Sequence, residues 1–319
     1  MREGWSRHAP PVPISPAQAA TLLAPALGTV GVTDVRPVAG GLVNTNLRAA
    51  LDRPPWVVLL RLVTRDPPQS VKEATLARLL DGHVPIARVL HAAETNPVTG
   101  TPYAVLEWIE GERLDRAAAG SGREAQRALG DAAGAALAHI HAFRFARHGF
   151  LASDLRVGPA IDVDGDALVA FLRACLVDGP GGARLGAALT SAVLDFAARE
   201  GSRLRDWLAL PCLVHGDFNP TNILVRDGRI AAVLDWEFAL SATPAFDFGN
   251  LLRPPLGTEA AFVAGLARGY CDAGGMLPTD WRRIASIADL FAWADLLGRR
   301  PSDPALAADA RRIIAAAIG

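Results

Sequence analysis

The chain is short of lysine. Lys72 is the only one in 319 residues, and Arg supplies every other strong base. A GxxxxGK[ST] phosphate loop needs a lysine inside a glycine run, and none is present, which excludes P-loop nucleotide chemistry. HExxH, GxSxG and GxGxxG are also missing, so zinc-protease, hydrolase-elbow and dinucleotide signatures are not available. Cysteine is scarce: Cys175, Cys212 and Cys271 are scattered, odd in number and form no CxxC. Neither a disulfide framework nor a cysteine zinc site follows, and a cytoplasmic, reducing setting fits best. An excess of one charge is lacking too. The formal net charge is −1, so no broad basic field draws the chain to nucleic acid or to an anionic membrane.

A long apolar run is the last absence. Residues 9–33 carry no formal charge and follow Arg2 and Arg7, as a leader might. Pro10, Pro11, Pro13, Pro16 and Pro25 interrupt them, whereas a membrane span needs roughly 20 mostly apolar residues. The expectation is a flexible tail over 1–14 and then a helix. Ser15 is its N-cap, Pro16 its first position and Gly28 its stop.

What is present suits a globular chain: half the residues are hydrophobic and 20% are charged. From Thr33 to Leu106 the text reads as strands, "VTDVRPVAGG", "NTNLRAAL", "WVVLLRLV", "PIARVLHAAET" and "TPYAVLEWI". One helix interrupts them, "SVKEATLARLLDGH", with Ser70 able to cap it and Val71, Ala74, Leu76, Leu79 and Leu80 apolar. After "EGERL" the pattern turns helical, beginning with "REAQRALGDAAGAALAHIHAF" and ending with "DPALAADARRIIAAAI". A short strand hairpin at 213–235 stands inside this helical part. The reading is α+β in two lobes: a strand-rich N-terminal lobe over 15–109, a junction near 106–112 and a helical lobe over 113–319.

The hairpin region reads "LVHGDFNPTNILVRDGRIAAVLDWE", Leu213 to Glu237. Asp227-Gly228 is a strong two-residue turn signal. Counting back from Arg226 opposite Arg229 puts Asn222 opposite Val233 and Asp235 opposite Pro220. At ~3.4 Å per residue, Asn222 and Asp235 share the open end of the hairpin. Asp217 precedes that end in a proline-containing loop. The sequence thus gathers Asp217, Asn222 and Asp235. Oxygen ligands suit Mg²⁺, and a further carboxylate can accept a proton from a hydroxyl. One base with two metal ligands is an arrangement for phosphoryl transfer. Each residue alone is equally at home in an ordinary loop.

His-Gly-Asp, four residues, Asn, hairpin, strand and Asp together resemble the Brenner motif of the aminoglycoside phosphotransferase and choline kinase-like superfamily. That group is similar in fold to protein kinases. The resemblance runs from about residue 34 to 255. It implies Asp217 as catalytic base, Asn222 and Asp235 as Mg²⁺ ligands, and His215 as a support for the loop. It implies ATP or GTP as co-substrate. "VAGGLVNTNLRA" then resembles the phosphate-covering loop, with Gly40 and Gly41 letting amides approach phosphate; a plain turn reads equally there. Arg61, in place of the protein-kinase lysine, becomes the cation paired with Glu73; the alternatives are an edge-strand arginine and a solvated helix glutamate. "YAVLEWIEGERL" resembles the hinge, with Leu106, Glu107, Trp108 and Ile109 offering backbone to a purine, or with Trp108 packed in the core. Asp247, in "PAFDFGNLL", is expected to cap a helix and brace the catalytic loop. His141 is expected to pack in the core or to support the loop.

Asn219 stands where protein kinases carry lysine, and "DWE" replaces "DFG". Glu237 reads as a metal ligand, a support behind one, or a surface carboxylate. For the acceptor, Asp154, Asp162, Asp164, Asp166 and Asp289 are acidic possibilities and Trp281, Phe291 and Trp293 aromatic ones. The function implied is a small-molecule kinase acting on a hydroxyl of an aminoglycoside or other antibiotic, a sugar or an amino alcohol. The alternative is a nucleotide-binding pseudokinase. No nucleic-acid, membrane or obligate protein partner is expected.

Overall fold

In the computed structural model, residues 10–38, 44–63, 67–208, 211–299 and 303–319 are described. Helix α1 (Pro16–Leu27) starts as its sequence requires. The Ser15 hydroxyl accepts from the Gln18 amide, the Gln18 side chain accepts from the Ser15 amide, and Gly28 closes the last turn. Val12 and Ile14 pack on the small-lobe cluster, so the flexible-tail reading fails at its C-terminal end.

Strands β1 (Val32–Pro37), β2 (Thr45–Leu51), β3 (Val57–Leu62), β4 (Val89–Ala93) and β5 (Tyr103–Glu107) form one antiparallel sheet in the order β1-β2-β3-β5-β4. Arg61 therefore lies on the central strand and not on an edge. Leu47, Leu60 and Val105 pack one face against Leu22 and Leu23 of α1. Helix α2 (Pro67–Leu80) starts at Pro67, ahead of Ser70, whose side chain lies outside the described part. Leu76 and Leu80 turn into the large-lobe core, while Val71 and Leu79 stay exposed. This helix bridges the two lobes.

The short strand β6 (Glu112–Arg113) and helix α3 (Leu114–Ala118) lead into α4 (Arg123–His141). Strands β7 (Gly149–Leu151) and β8 (Val157–Ala160) precede helices α5 (Gly165–Arg173), α6 (Gly181–Leu185) and α7 (Ala187–Glu200). Then come β9 (Cys212–Val214), β10 (Ile223–Arg226), β11 (Arg229–Val233) and β12 (Leu240–Ala242). Helices α8 (Ala245–Leu251), α9 (Ala260–Asp272), α10 (Trp281–Arg299) and α11 (Pro304–Ile318) complete the chain. The hairpin β10–β11 takes β6 as a third strand, which ties the interlobe linker to it. A second small sheet, β8-β7-β12-β9, floors the large lobe.

Helices α4 and α9 run in close contact because glycines face them. A Cβ on Gly134 would meet the Leu266 carbonyl oxygen at 2.2 Å, and one on Gly269 would meet that of Asp131 at 2.1 Å. This packing brings His141, at the end of α4, beside Tyr270 of α9. Among the described residues, no helix is long and apolar enough to cross a membrane.

Candidate active site

The hairpin turn forms where Asp227-Gly228 requires, and Arg226 faces Arg229. The register then slips by one. Leu224 pairs with Ala232 but Val225 pairs with Ile230, so Ala231 is an extra residue in the strand. Asn222 thus meets Leu234, whose amide donates to its carbonyl at 2.8 Å, and not Val233 as counted. The bulge moves Asp235 one residue closer to Asn222. Asp235 itself takes a left-handed conformation, φ 65°, which swings the chain out of the strand.

The loop before the hairpin is held from below. His215 is fully buried; its Nδ1 accepts from the Asp217 amide at 3.2 Å and its Nε2 lies 2.8 Å from the Leu234 carbonyl. That pairing assigns the ring proton to Nε2. One imidazole therefore links the Asp217 loop to the strand that delivers Asp235. Gly216 sits at φ 76°, and a Cβ there would meet the Phe238 carbonyl at 2.4 Å. Asp247 braces this loop as expected, but it does not cap its helix. Its Oδ2 accepts from the His215 amide at 2.8 Å and its Oδ1 from the Gly216 amide at 2.9 Å. Its Oδ2 also lies 3.1 Å from His141 Nε2, and His141 Nδ1 lies 3.1 Å from the Tyr270 hydroxyl. Burial pushes the Tyr270 phenol up, which keeps it a donor.

The Asp217 carboxylate is oriented by two amides. Asn219 Nδ2 donates to Oδ1 at 2.9 Å and Asn222 Nδ2 donates to Oδ2 at 3.0 Å. Asn219 therefore supplies a neutral donor where protein kinases place a cation. Its part in holding Asp217 was not foreseen, although its position two residues on was the available signal.

Across the cleft, Arg61 Nη1 donates to Glu73 at 2.7 Å and lies 3.7 Å from Asp235. Its Nε donates to Asn46 at 3.1 Å. Burial alone would lower the Arg61 pKa, but Glu73, Asp235 and Glu237 together raise it above the ordinary value. Glu73 feels the opposite balance. Burial pushes its carboxyl up, Arg61 draws it back, and Asp235 adds to the rise. Glu237 is half-buried and faces the same group, so it is no surface carboxylate. Burial, then Asp235 and Glu73, push it up to about 8.

Arg61, Asp217, Asn222, Asp235 and Glu237 line one cavity of about 500 Å³. The hinge residues do not line it. Leu106 is committed to the sheet between Leu59 and Val89, and the Glu107 amide donates to Arg88. Trp108 is half-buried, bonded to Glu110 at 2.7 Å with Arg48 over its ring, so it is not core packing. Ile109 follows it, half-buried and outside any strand. Gly40 and Gly41 lie outside the described residues.

Among the described residues, no three His, Cys, Asp or Glu side chains converge into a metal cage. The donors present are an amide oxygen and separated carboxylates at a cavity wall. That set suits a hard cation that keeps waters and takes its remaining ligands from phosphate.

A phosphotransferase enzyme family model matches residues 34–287. The chain belongs to this family. Membership makes it a phosphotransferase with the α+β, protein kinase-like fold. No curated protein matches the chain. Solved structures give the likeness in shape. The complex of APH(2")-IIia with GDP and kanamycin has a TM-score of 0.73 at 15% identity, covering 94% of this chain and 97% of that one. A thermostable mutant of aminoglycoside phosphotransferase APH(4)-Ia, in ternary complex with ADP and hygromycin B, has a TM-score of 0.64 at 18% identity, covering 94% and 97%. Macrolide 2'-phosphotransferase MphH from Brachybacterium faecium has a TM-score of 0.60 at 20% identity, covering 96% and 98%.

Of the acceptor residues expected, Asp162 and Phe291 reach the cavity. Asp164 instead caps α5 through the Ala167 amide, and Asp154 pairs with Arg156 at the surface. Asp166 is exposed beside Arg205. Asp289 and Trp293 are buried and bonded to each other at 2.9 Å, and Trp281 packs on Phe248. Arg253, Asp295 and Arg299 line the cavity and had no signal in the sequence.

Proposed function

We propose that the protein is a small-molecule kinase that transfers the γ-phosphoryl group of ATP or GTP to a hydroxyl. The observation that carries this reading is the orientation of Asp217. Its two carboxylate oxygens are fixed by Asn219 and Asn222 at the wall of a cavity that also presents Arg61 and Asp235.

The acceptor oxygen forms a bond to the γ-phosphorus as the bond to the β–γ bridging oxygen breaks. The nucleoside diphosphate leaves, and Asp217 takes the hydroxyl proton. Fixing the carboxylate before the acceptor arrives removes reorganisation from the reaction step. Asn222 and Asp235 would hold Mg²⁺, which supplies charge neutralisation on the phosphate oxygens when bound. Glu237 supports those ligands from the same wall. Arg61, held by Glu73, keeps a positive charge facing the phosphates. The loop at Gly40 and Gly41 would cover the phosphates, and Leu106–Ile109 would border the base. The acceptor belongs to the small hydroxyl compounds that include the antibiotics of the neighbouring enzymes, sugars and amino alcohols.

The test is phosphoryl transfer read by product mass across an acceptor panel, with ATP and with GTP. Asp217→Asn is expected to abolish transfer while nucleotide binding survives. Wild-type turnover in that variant would remove Asp217 as the base. Tight Mg-nucleotide binding with no product from any acceptor would favour a pseudokinase.

A further inference from the structure

The cavity has two unlike ends. One end presents Asp217, Asn222, Asp235 and Arg61. The other is walled by Phe171 of α5, Phe246 of α8 and Phe291 of α10. Phe291 stacks on Phe246 with centroids 5.6 Å apart and planes 24° apart, and it lies 5.6 Å from Phe171. The three rings make one aromatic wall. Phe150 and Phe238 stand at the same cavity with 63% and 42% of their surface exposed. Large apolar side chains left in water inside a concave site mark a surface that a ligand covers.

The charges at this end are mostly spoken for. Arg253 donates to Asp289 at 2.8 and 2.6 Å and stacks over Trp293. Asp295 pairs with Arg299 at 2.5 Å. Asp162 stands exposed at the rim. A compound with several ammonium groups needs several carboxylates to replace the water it loses. This end offers rings instead.

We infer that the acceptor is a hydroxyl compound with an uncharged, apolar body, which lies on the Phe171–Phe246–Phe291 wall with its hydroxyl towards Asp217. A polycationic amino sugar does not fit this end. The inference rests on the kinase reading, and the transfer step is the one given above: the acceptor oxygen gains the phosphoryl group and Asp217 its proton.

The test is calorimetric binding to the whole chain with Mg²⁺ and a non-hydrolysable ATP or GTP analogue. The probes are methyl, butyl and hexyl β-glucoside, with kanamycin as the polycation. Burial of the alkyl chain lowers the dissociation constant about threefold per methylene, which is about 240-fold if all five added methylenes are covered; with about three of them covered, hexyl glucoside binds about thirtyfold tighter than methyl glucoside, and that is the least expected. Phe150→Ala weakens hexyl glucoside by about fivefold and leaves methyl glucoside and nucleotide unchanged. A flat alkyl series, no glucoside binding at all, or kanamycin binding tighter than hexyl glucoside would overturn the inference. The kinase reading fails separately: it falls if no bound compound in a wider acceptor panel gains a phosphoryl group.

Discussion

Lys72 Nζ lies 2.6 Å from the main-chain oxygen of Glu237 and 3.3 Å from that of Ala239. The only lysine of the chain thus joins helix α2 of the small lobe to the segment that follows Asp235. Its neighbour Glu73 holds Arg61, so one turn of helix reaches both the cation and the proposed metal-binding segment. Lys72→Met keeps the stem and removes the donors. A charged hydrogen bond lost here is worth about 1.5–3 kcal/mol. We expect turnover to fall about tenfold while stability of the small-lobe sheet is kept. Steady-state kinetics with urea unfolding checks it; unchanged kcat would make Lys72 a packing residue only.

Arg61 and Glu73 form a buried ion pair facing the cavity, with side chains 8% and 15% exposed. Removing one partner leaves the other charge buried, which costs about 3–5 kcal/mol, more than the pair is worth against an apolar replacement. Glu73→Ala is therefore expected to destabilise the chain more than the double variant Arg61→Met/Glu73→Leu. Chemical denaturation of the two variants beside wild type reads this directly. Both variants should lose phosphoryl transfer, because Glu73→Ala leaves Arg61 without its anchor and the double variant removes the cation itself.

Much of this was legible in the chain. The Asp-Gly turn and the helix capped by Ser15 are local patterns, and each fell where the sequence put it; Asn222 and Asp235 do share the open end of the hairpin, but one residue away from the counted register. The bulge at Ala231 was not legible, because no glycine or proline marks it and only the pairing with β10 exposes it. Strands β7, β8 and β12 were missed because three or four residues carry too little periodicity to read. Asp289 misled for a different reason. Its partner Arg253 is 36 positions away, so nothing in the sequence showed that the pair would be buried and not offered to an acceptor. The aromatic wall is assembled from three helices; Phe291 was among the aromatic acceptor candidates, but Phe171 and Phe246, each a lone Phe in a helix, read as core.

The Glu237 carboxyl is pushed from 4.5 to about 8 by burial and by Asp235, Glu73 and Asp217, with Arg61 opposing. Its folded value is raised, so the folded chain without metal or nucleotide holds a proton that the unfolded chain releases above about pH 4.5. The stability linked to that proton is present at low pH and is lost as pH rises through about 8. Glu237→Gln removes this dependence. In chelator, the variant should match wild type near about pH 5 and become progressively more stable than it towards about pH 8.5. Urea midpoints across that range check it, and a gap that does not change with pH would show that Glu237 titrates normally.

Asp247 accepts from the His215 and Gly216 amides and meets His141 Nε2, all in a fully buried place. Asp247→Asn turns one acceptor into a donor that faces another donor. Each buried N–H left unpaired costs about 1–3 kcal/mol, so a loss of about 3 kcal/mol or more is expected. The loop that carries Asp217 loosens with it, and turnover should fall by at least about a hundredfold, since ~1 Å of misplacement at the reacting groups is enough for that. Tyr270→Phe removes only the outermost bond of the same chain, the one to His141 Nδ1. It should cost about 1 kcal/mol and leave turnover within about threefold. Urea unfolding and product-mass turnover on both variants separate the two contributions. If Tyr270→Phe reduced turnover as far as Asp247→Asn, the loop would depend on the whole Tyr270–His141–Asp247 chain and not on the aspartate alone.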